Sequence, residues 1–100
     1  MAGMDENSAL AASLGEFTVD TIGRESLDGL HVLLDTRAGE AWMIVVLRDN
    51  SDAEQRRAIE KLFEVEDVFA DEVSLSFVFA TEIPDEVRAL TSSKAVFSYA

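Results

Sequence analysis

The sequence predicts an α+β domain with a mainly antiparallel sheet of four or five strands and one principal helix packed on one face. An apolar run at 41–48 has the length and the β-branched content of a strand. A stripe at helical spacing follows within 51–70, and a run of strict alternation follows at 73–80. We expect the element order β-β-β-α-β-α-β, with a ferredoxin-like arrangement as the alternative.

The run at 41–48 is apolar on both faces of its pleat. One face is formed by Trp42, Ile44 and Val46, and the other by Met43, Val45 and Leu47. A strand with two apolar faces usually lies inside a sheet, because both of its faces need cover. We therefore predict that this strand is central.

The helix that follows has a clear beginning and a less clear end. Ser51 is a good N-cap, and Glu54, three residues later, completes a capping box. The predicted buried stripe is Ala58, Leu62, Val65 and Phe69. The helix is expected to run to about Ala70, but the apolar pattern weakens after residue 63, so an earlier end near Glu66 remains open.

The alternating run at 73–80 predicts a strand with one face on the core. Its core face is formed by Val73, Leu75, Phe77 and Phe79. The segment between this strand and the one at 41–48 is long enough to hold a helix, which favours a right-handed crossover to a parallel strand. An antiparallel placement remains open at this point.

The first third of the chain predicts a β-meander. Residues 16–27 resemble a strand with a bulge at Gly23, and Asp28-Gly29 is typical of a two-residue hairpin turn. The return strand is expected at 30–35. Ahead of the meander we expect a flexible N-terminal segment at 1–13, with an optional short helix, and a single domain at 14–100.

The last fifth of the chain predicts a short helix and a final strand. Pro84 is suited to the first helical turn, so a helix is expected from Pro84 to about Leu90. The strand is expected at 94–100, with Ala95, Phe97 and Tyr99 on one face.

Composition excludes several classes of function. The 100 residues include no cysteine and one histidine, which excludes thiolate chemistry and multi-histidine metal sites within one chain. No glycine-rich phosphate loop or nucleophile elbow is present, so we expect a non-enzymatic protein without cofactor or metal. No apolar run or leader pattern suggests a membrane or secretory segment, and we expect a cytoplasmic protein.

The formal net charge of −12 bears on the partners. An acidic surface repels phosphates, so we expect no binding to nucleic acid or membrane. Solubility in an acidic or salt-adapted proteome, a protein partner with a basic surface, and mimicry of a nucleic acid remain as explanations. The most regular acidic feature is a row on the predicted helix, formed by Glu60, Glu64, Asp67 and Asp71. It is interpreted as a solvated face, with a surface for a basic partner or a site for a hard cation such as Ca²⁺ or Mg²⁺ as the alternatives.

Two function hypotheses follow. The first is a small protein-binding or regulatory module that forms a homodimer, because one helix leaves a second sheet face uncovered, to which Val45, Leu47 and Val78 are assigned. The second is a ligand-binding protein or minor enzyme with a pocket between sheet and helix. Its candidate residues are His31, Trp42, Arg48 and Arg88, with Arg24 and Arg37 as further cations. His31 is expected on the less buried face of its strand.

Overall fold

The computed structural model describes residues 6–35, 38–85 and 95–99. The described helices and strands are α1 Glu6–Ile22, β1 Leu27–Asp35, β2 Glu40–Leu47, α2 Asp52–Phe69, β3 Ser74–Phe79 and β4 Ala95–Tyr99. A short 3-10 turn, Arg24–Ser26, joins α1 to β1. The α+β class is confirmed.

The four strands form one mixed sheet in the order β3-β2-β1-β4. β1 is antiparallel to both β2 and β4, whereas β2 and β3 are parallel. The prediction of a central strand at 41–48 and of a parallel strand after the helix is therefore confirmed. The ferredoxin-like alternative is wrong, because that arrangement places a helix between its first two strands, whereas β1 and β2 pair directly as an antiparallel hairpin.

The predicted strand at 16–27 is wrong, because residues 6–22 form α1. Its core positions recur at helical spacing and are Ala11, Leu14, Thr18, Val19 and Ile22. Burial of this stripe outweighs the weak helix propensity of the β-branched residues. Gly23 has a φ of 103° and its N–H donates to the Val19 carbonyl at 2.8 Å, so this glycine ends the helix rather than forming a bulge. Residues 6–13 belong to the same helix.

The predicted hairpin turn at Asp28-Gly29 is also wrong. Both residues lie within β1, at a shift in the pairing with β2 between Leu27 and Gly29. With a helix before β1, there is no preceding strand for such a turn to join. The predicted hairpin from β1 to β2 is confirmed. Gly39, directly before β2, has a φ of 67°.

The predicted N-terminus and buried stripe of α2 are confirmed. The Ser51 hydroxyl accepts the Glu54 N–H at 3.3 Å, while the Ser51 N–H donates to the Asp49 carboxylate at 3.1 Å. The helix ends at Phe69, next to the expected end at about Ala70 and beyond the alternative end at Glu66, because Phe69 is buried and its ring lies edge-on to Phe17 at a centroid distance of 5.8 Å. The four stripe residues are all buried.

Both helices pack on one face of the sheet, where three cross-strand rows form the core. The middle row, for example, is Phe97, Val32, Met43 and Phe77. Val45 and Leu47 point to this same side and are buried, so their assignment to an uncovered face is wrong. Phe97 and Tyr99 share a face as expected. The predicted helix at 84–90 lies largely outside the described residues.

Candidate functional site

The sheet face turned away from the helices, called here the open face, is the candidate site. Register places two cross-strand rows at its centre. They are Ser98, His31, Ile44 and Val78, and next to them Val96, Leu33, Trp42 and Ser76. Neither row contains a charged residue, although the chain has 28% charged residues. The absence of charged residues from these two rows, on such an acidic chain, distinguishes the open face from the helix side of the domain.

Four apolar side chains on the open face form a contiguous group, called here the Trp42 patch. Its members are Leu33, Trp42, Ile44 and Val78. Trp42 is 50% exposed and Val78 is 57% exposed, while Leu33 and Ile44 are partly exposed. Trp42 pairs with Leu33 across β1 and β2, and Val78 pairs with Ile44 across β2 and β3. Large exposed apolar side chains that adjoin one another typically mark an interaction surface.

His31 lies on the open face, which is the less buried face of its strand as expected, but its own side chain is only 2% exposed. Its Nδ1 lies 2.6 Å from the Ser98 hydroxyl, a hydrogen bond that links β1 to β4. The sequence does not reveal that β4 pairs with β1. Ser98 of β4 provides the hydrogen bond that allows the polar His31 ring to be buried. The bond helps to fix β4 relative to β1 at the open face.

Those candidate pocket residues that the structure describes are not brought together between sheet and helix. His31 and Trp42 lie on neighbouring strands of the open face. Arg48 lies beyond the end of β2, where its Nε is 3.2 Å from the Asp28 carboxylate, and both side chains are exposed. Arg24 stacks over the Tyr99 ring at 5.6 Å. Arg37 and Arg88 lie outside the described residues.

Three members of the acidic row, Glu60, Glu64 and Asp67, lie on the solvent side of α2, whereas Asp71 lies in the turn that follows the helix end at Phe69. Glu60, Glu64, Asp67 and Asp71 are all exposed. Lys61 approaches Glu64 at 3.5 Å, which is a surface pair of small energetic value. Among the described residues, no group of three or more histidine, cysteine, aspartate or glutamate side chains could hold a metal ion.

Charge is therefore distributed unequally over the molecule. The helix layer carries the acidic row together with exposed carboxylates such as Glu16 and Asp20. The open face has carboxylates only near its ends, with Asp35 opposite Glu40 at one end and Asp28 at the other, as far as the described strands extend. The two sides of the domain therefore differ in their charge.

Sequence reasoning missed the role of Leu33 and Ile44. The available signal was in the two hairpin strands. There, the residues on the face opposite the core include apolar ones as well.

None of the described helices is long and apolar enough to span a bilayer. No protein-family model, curated protein or solved structure matches this chain.

Proposed function

We propose that the protein is a small, acidic, non-enzymatic protein-binding module that self-associates, and that a second copy binds to its open face. The observation that carries this proposal is the Trp42 patch. It leaves half of the Trp42 surface and more than half of the Val78 surface in water, whereas most other large apolar side chains of the described residues are buried or partly buried. Covering these side chains with an apolar surface is favourable at about 25 cal/mol per Å².

Electrostatics favour a second copy on this face over any other self-contact. Two chains with a net charge of −12 repel each other, so a stable contact must keep their carboxylates apart. Stacked sheets lie about 10 Å apart, and a helix layer adds about 10 Å on each side. A face-to-face dimer would thus separate the two acidic rows by roughly 30 Å, beyond the screening length of about 8 Å at physiological salt.

The size of the open face predicts a dimer of modest affinity. Four strands spaced about 4.8 Å apart span roughly 19 Å, which provides a small footprint compared with the ~800 Å² per partner of standard interfaces. The pair should therefore dissociate on dilution. Addition of salt should strengthen it, because salt screens the repulsion between the acidic chains.

The test is sedimentation equilibrium over a concentration series, in low and high salt, for the wild-type chain and two variants. We expect Trp42→Ala to abolish the dimer. Val68→Ala is the matched control, because Val68 is 59% exposed but lies on α2, and it should leave the dimer unchanged. A monomer at every concentration in both salts, or a dimer that survives Trp42→Ala, would overturn the proposal.

A further inference from the structure

The outer edge of β3 is a second surface with unusual properties. β3 is the last strand in the sheet order, and no other described strand pairs with its outer side. Natural proteins usually protect such edges with lysine, proline or a bulge. Residues 74–79 contain no charged residue and no proline, and their pairing with β2 is regular over the whole strand. Within the described residues, this edge remains open to a further strand.

The backbone of β3 directs specific groups to this edge. The Ser74 N–H donates to the Gly39 carbonyl at 2.8 Å, and the Ala80 N–H donates to the Val45 carbonyl at 2.9 Å. Backbone groups of a strand alternate between its two sides, so the even-numbered residues from 74 to 80 bond towards β2. The N–H and C=O groups of Leu75, Phe77 and Phe79 consequently point to the outer edge.

Apolar side chains flank these outward groups on the helix side. Phe63 of α2 is 55% exposed, and its ring meets Phe77 at a centroid distance of 6.4 Å. Phe77 in turn meets Phe79 at 6.1 Å. An added strand would therefore find an exposed aromatic ring next to the backbone groups that it would pair with.

The charges near Phe63 determine which kind of strand can pair with the outer edge of β3. Glu60 and Asp67 are three residues before and four residues after Phe63, so helical spacing places both carboxylates next to its ring. A second copy paired along β3 would bring its own acidic row to the same side, and the two rows would repel each other. A strand with basic side chains would instead neutralise these carboxylates.

We infer that the outer edge of β3 binds an extended segment of another protein whose helix-side positions, which are every second residue, carry an apolar residue between two residues that are lysine or arginine. The segment adds a strand to the four-stranded sheet, with main-chain hydrogen bonds to Leu75, Phe77 and Phe79. Its apolar residue covers Phe63, and the basic residues two positions before and after it lie on the same side of the sheet, towards Glu60 and Asp67. This site is separate from the Trp42 patch and does not depend on dimerisation.

The experiment uses the full chain and an acetylated, amidated peptide of about seven residues, Thr-Lys-Thr-Val-Thr-Lys-Thr, in which the valine and both lysines share one face of the strand. Amide hydrogen exchange followed by NMR reads out the contact residue by residue. We expect the amides of Leu75, Phe77 and Phe79 to become protected when the peptide binds. The amides of Ser76 and Val78 already bond towards β2 and should change little.

Three controls separate strand addition from ionic adsorption. A peptide with N-methyl groups on alternate residues keeps its charge but cannot pair along the edge, and it should bind at least tenfold more weakly. The same peptide with glutamate in place of both lysines should not bind. Phe63→Ala should weaken binding by roughly tenfold, whereas Val68→Ala should leave it unchanged.

Several results would overturn the inference. These are absence of binding, equal binding of the N-methylated peptide, or binding that leaves the odd-numbered β3 amides unprotected. Protection of those amides on raising the protein concentration without peptide would show that a second copy occupies the edge instead. Failure of this test would leave the dimer at the Trp42 patch unaffected, since that dimer is measured without peptide.

Discussion

Gly15 of α1 lies directly against the aromatic ring of Phe97 of β4. A Cβ atom added at Gly15 would overlap the Phe97 ring. Glycine in the middle of a helix is unfavourable by about 1 kcal/mol relative to alanine, so its presence here reflects the close approach of helix and strand. Through this contact α1 packs closely on β4, one of the two edge strands of the sheet. The helix α1 lies on the side of the sheet opposite the open face.

The first prediction concerns this contact. Gly15→Ala should lower the free energy of unfolding by about 1–3 kcal/mol, because overpacking against Phe97 outweighs the gain in helix propensity. Urea denaturation followed by circular dichroism measures the change. Ser13→Ala, at an exposed position of the same helix, is the control and should be neutral or slightly stabilising.

A double variant shows whether steric overlap, rather than another effect, is the cause of the destabilisation by Gly15→Ala. Gly15→Ala combined with Phe97→Ala should be less destabilised than the sum of the two single variants, since the clashing ring is gone. Simple additivity would show that the two residues do not interact as described.

The second prediction concerns Arg57 of α2, which binds the end of α1. Its Nη2 donates to the Ile22 carbonyl at 3.1 Å, and its Nη1 donates to the Ser26 hydroxyl at 3.3 Å. The last turn of α1 has no basic residue of its own, so Arg57 supplies the positive charge that favours a helix C-terminus. Arg57→Ala should cost about 1–2 kcal/mol of unfolding free energy.

The neighbouring Arg56 provides the comparison for that variant. It is also exposed on α2, and Arg56→Ala should change stability by less than about 0.5 kcal/mol. Equal effects of the two substitutions, measured by denaturant titration, would show that the bonds from Arg57 to Ile22 and Ser26 contribute nothing specific.

The third prediction concerns the hydrogen bond between His31 and Ser98. Ser98→Ala removes the hydroxyl from a ring nitrogen of a buried imidazole, and the expected loss of stability is about 1–3 kcal/mol. Ser76→Ala is the control, because Ser76 is an exposed serine on the same face, like Ser98, but lies in the row of Trp42 and Leu33 rather than in that of His31. Thermal or urea unfolding that ranks the two variants equally would contradict this role for Ser98.

Parts of the fold could be predicted because local signals and burial agree. In α2, the serine cap and the stripe through Leu62 and Val65 indicate the same element. In β3, strict alternation identifies the core face correctly, with Leu75 buried and Val78 exposed. Such agreement between levels is what makes a segment predictable.

The error at α1 has a physical origin in its composition. Val19 and Ile22 favour strands by propensity, and the small Gly15 and polar Thr18 interrupt the apolar stripe. Thr18 is nevertheless fully buried, because its hydroxyl donates to the Leu14 carbonyl at 2.7 Å. A helical period that includes a small and a polar residue is easily missed when only apolar residues are counted.

The candidate site was only partly predictable for a different reason. Trp42 could be singled out as the sole tryptophan on an apolar strand. The side of the sheet on which the helices pack is a tertiary property, so Val45 and Leu47 were assigned to the wrong face while Val78 was assigned correctly to the exposed one. Strand order, which brings Ser98 to His31, is likewise absent from local sequence patterns.

The most direct test of the central claim uses Trp42 itself, the only tryptophan in the chain. Its fluorescence emission and its quenching by acrylamide are measured over a dilution series that crosses the monomer–dimer transition seen by sedimentation. If a second copy covers the Trp42 patch, the emission should shift to the blue and quenching should fall as the dimer forms, with both changes occurring at lower concentration in high salt. If Trp42 remains equally quenched in monomer and dimer, the interface lies elsewhere and the claim is wrong.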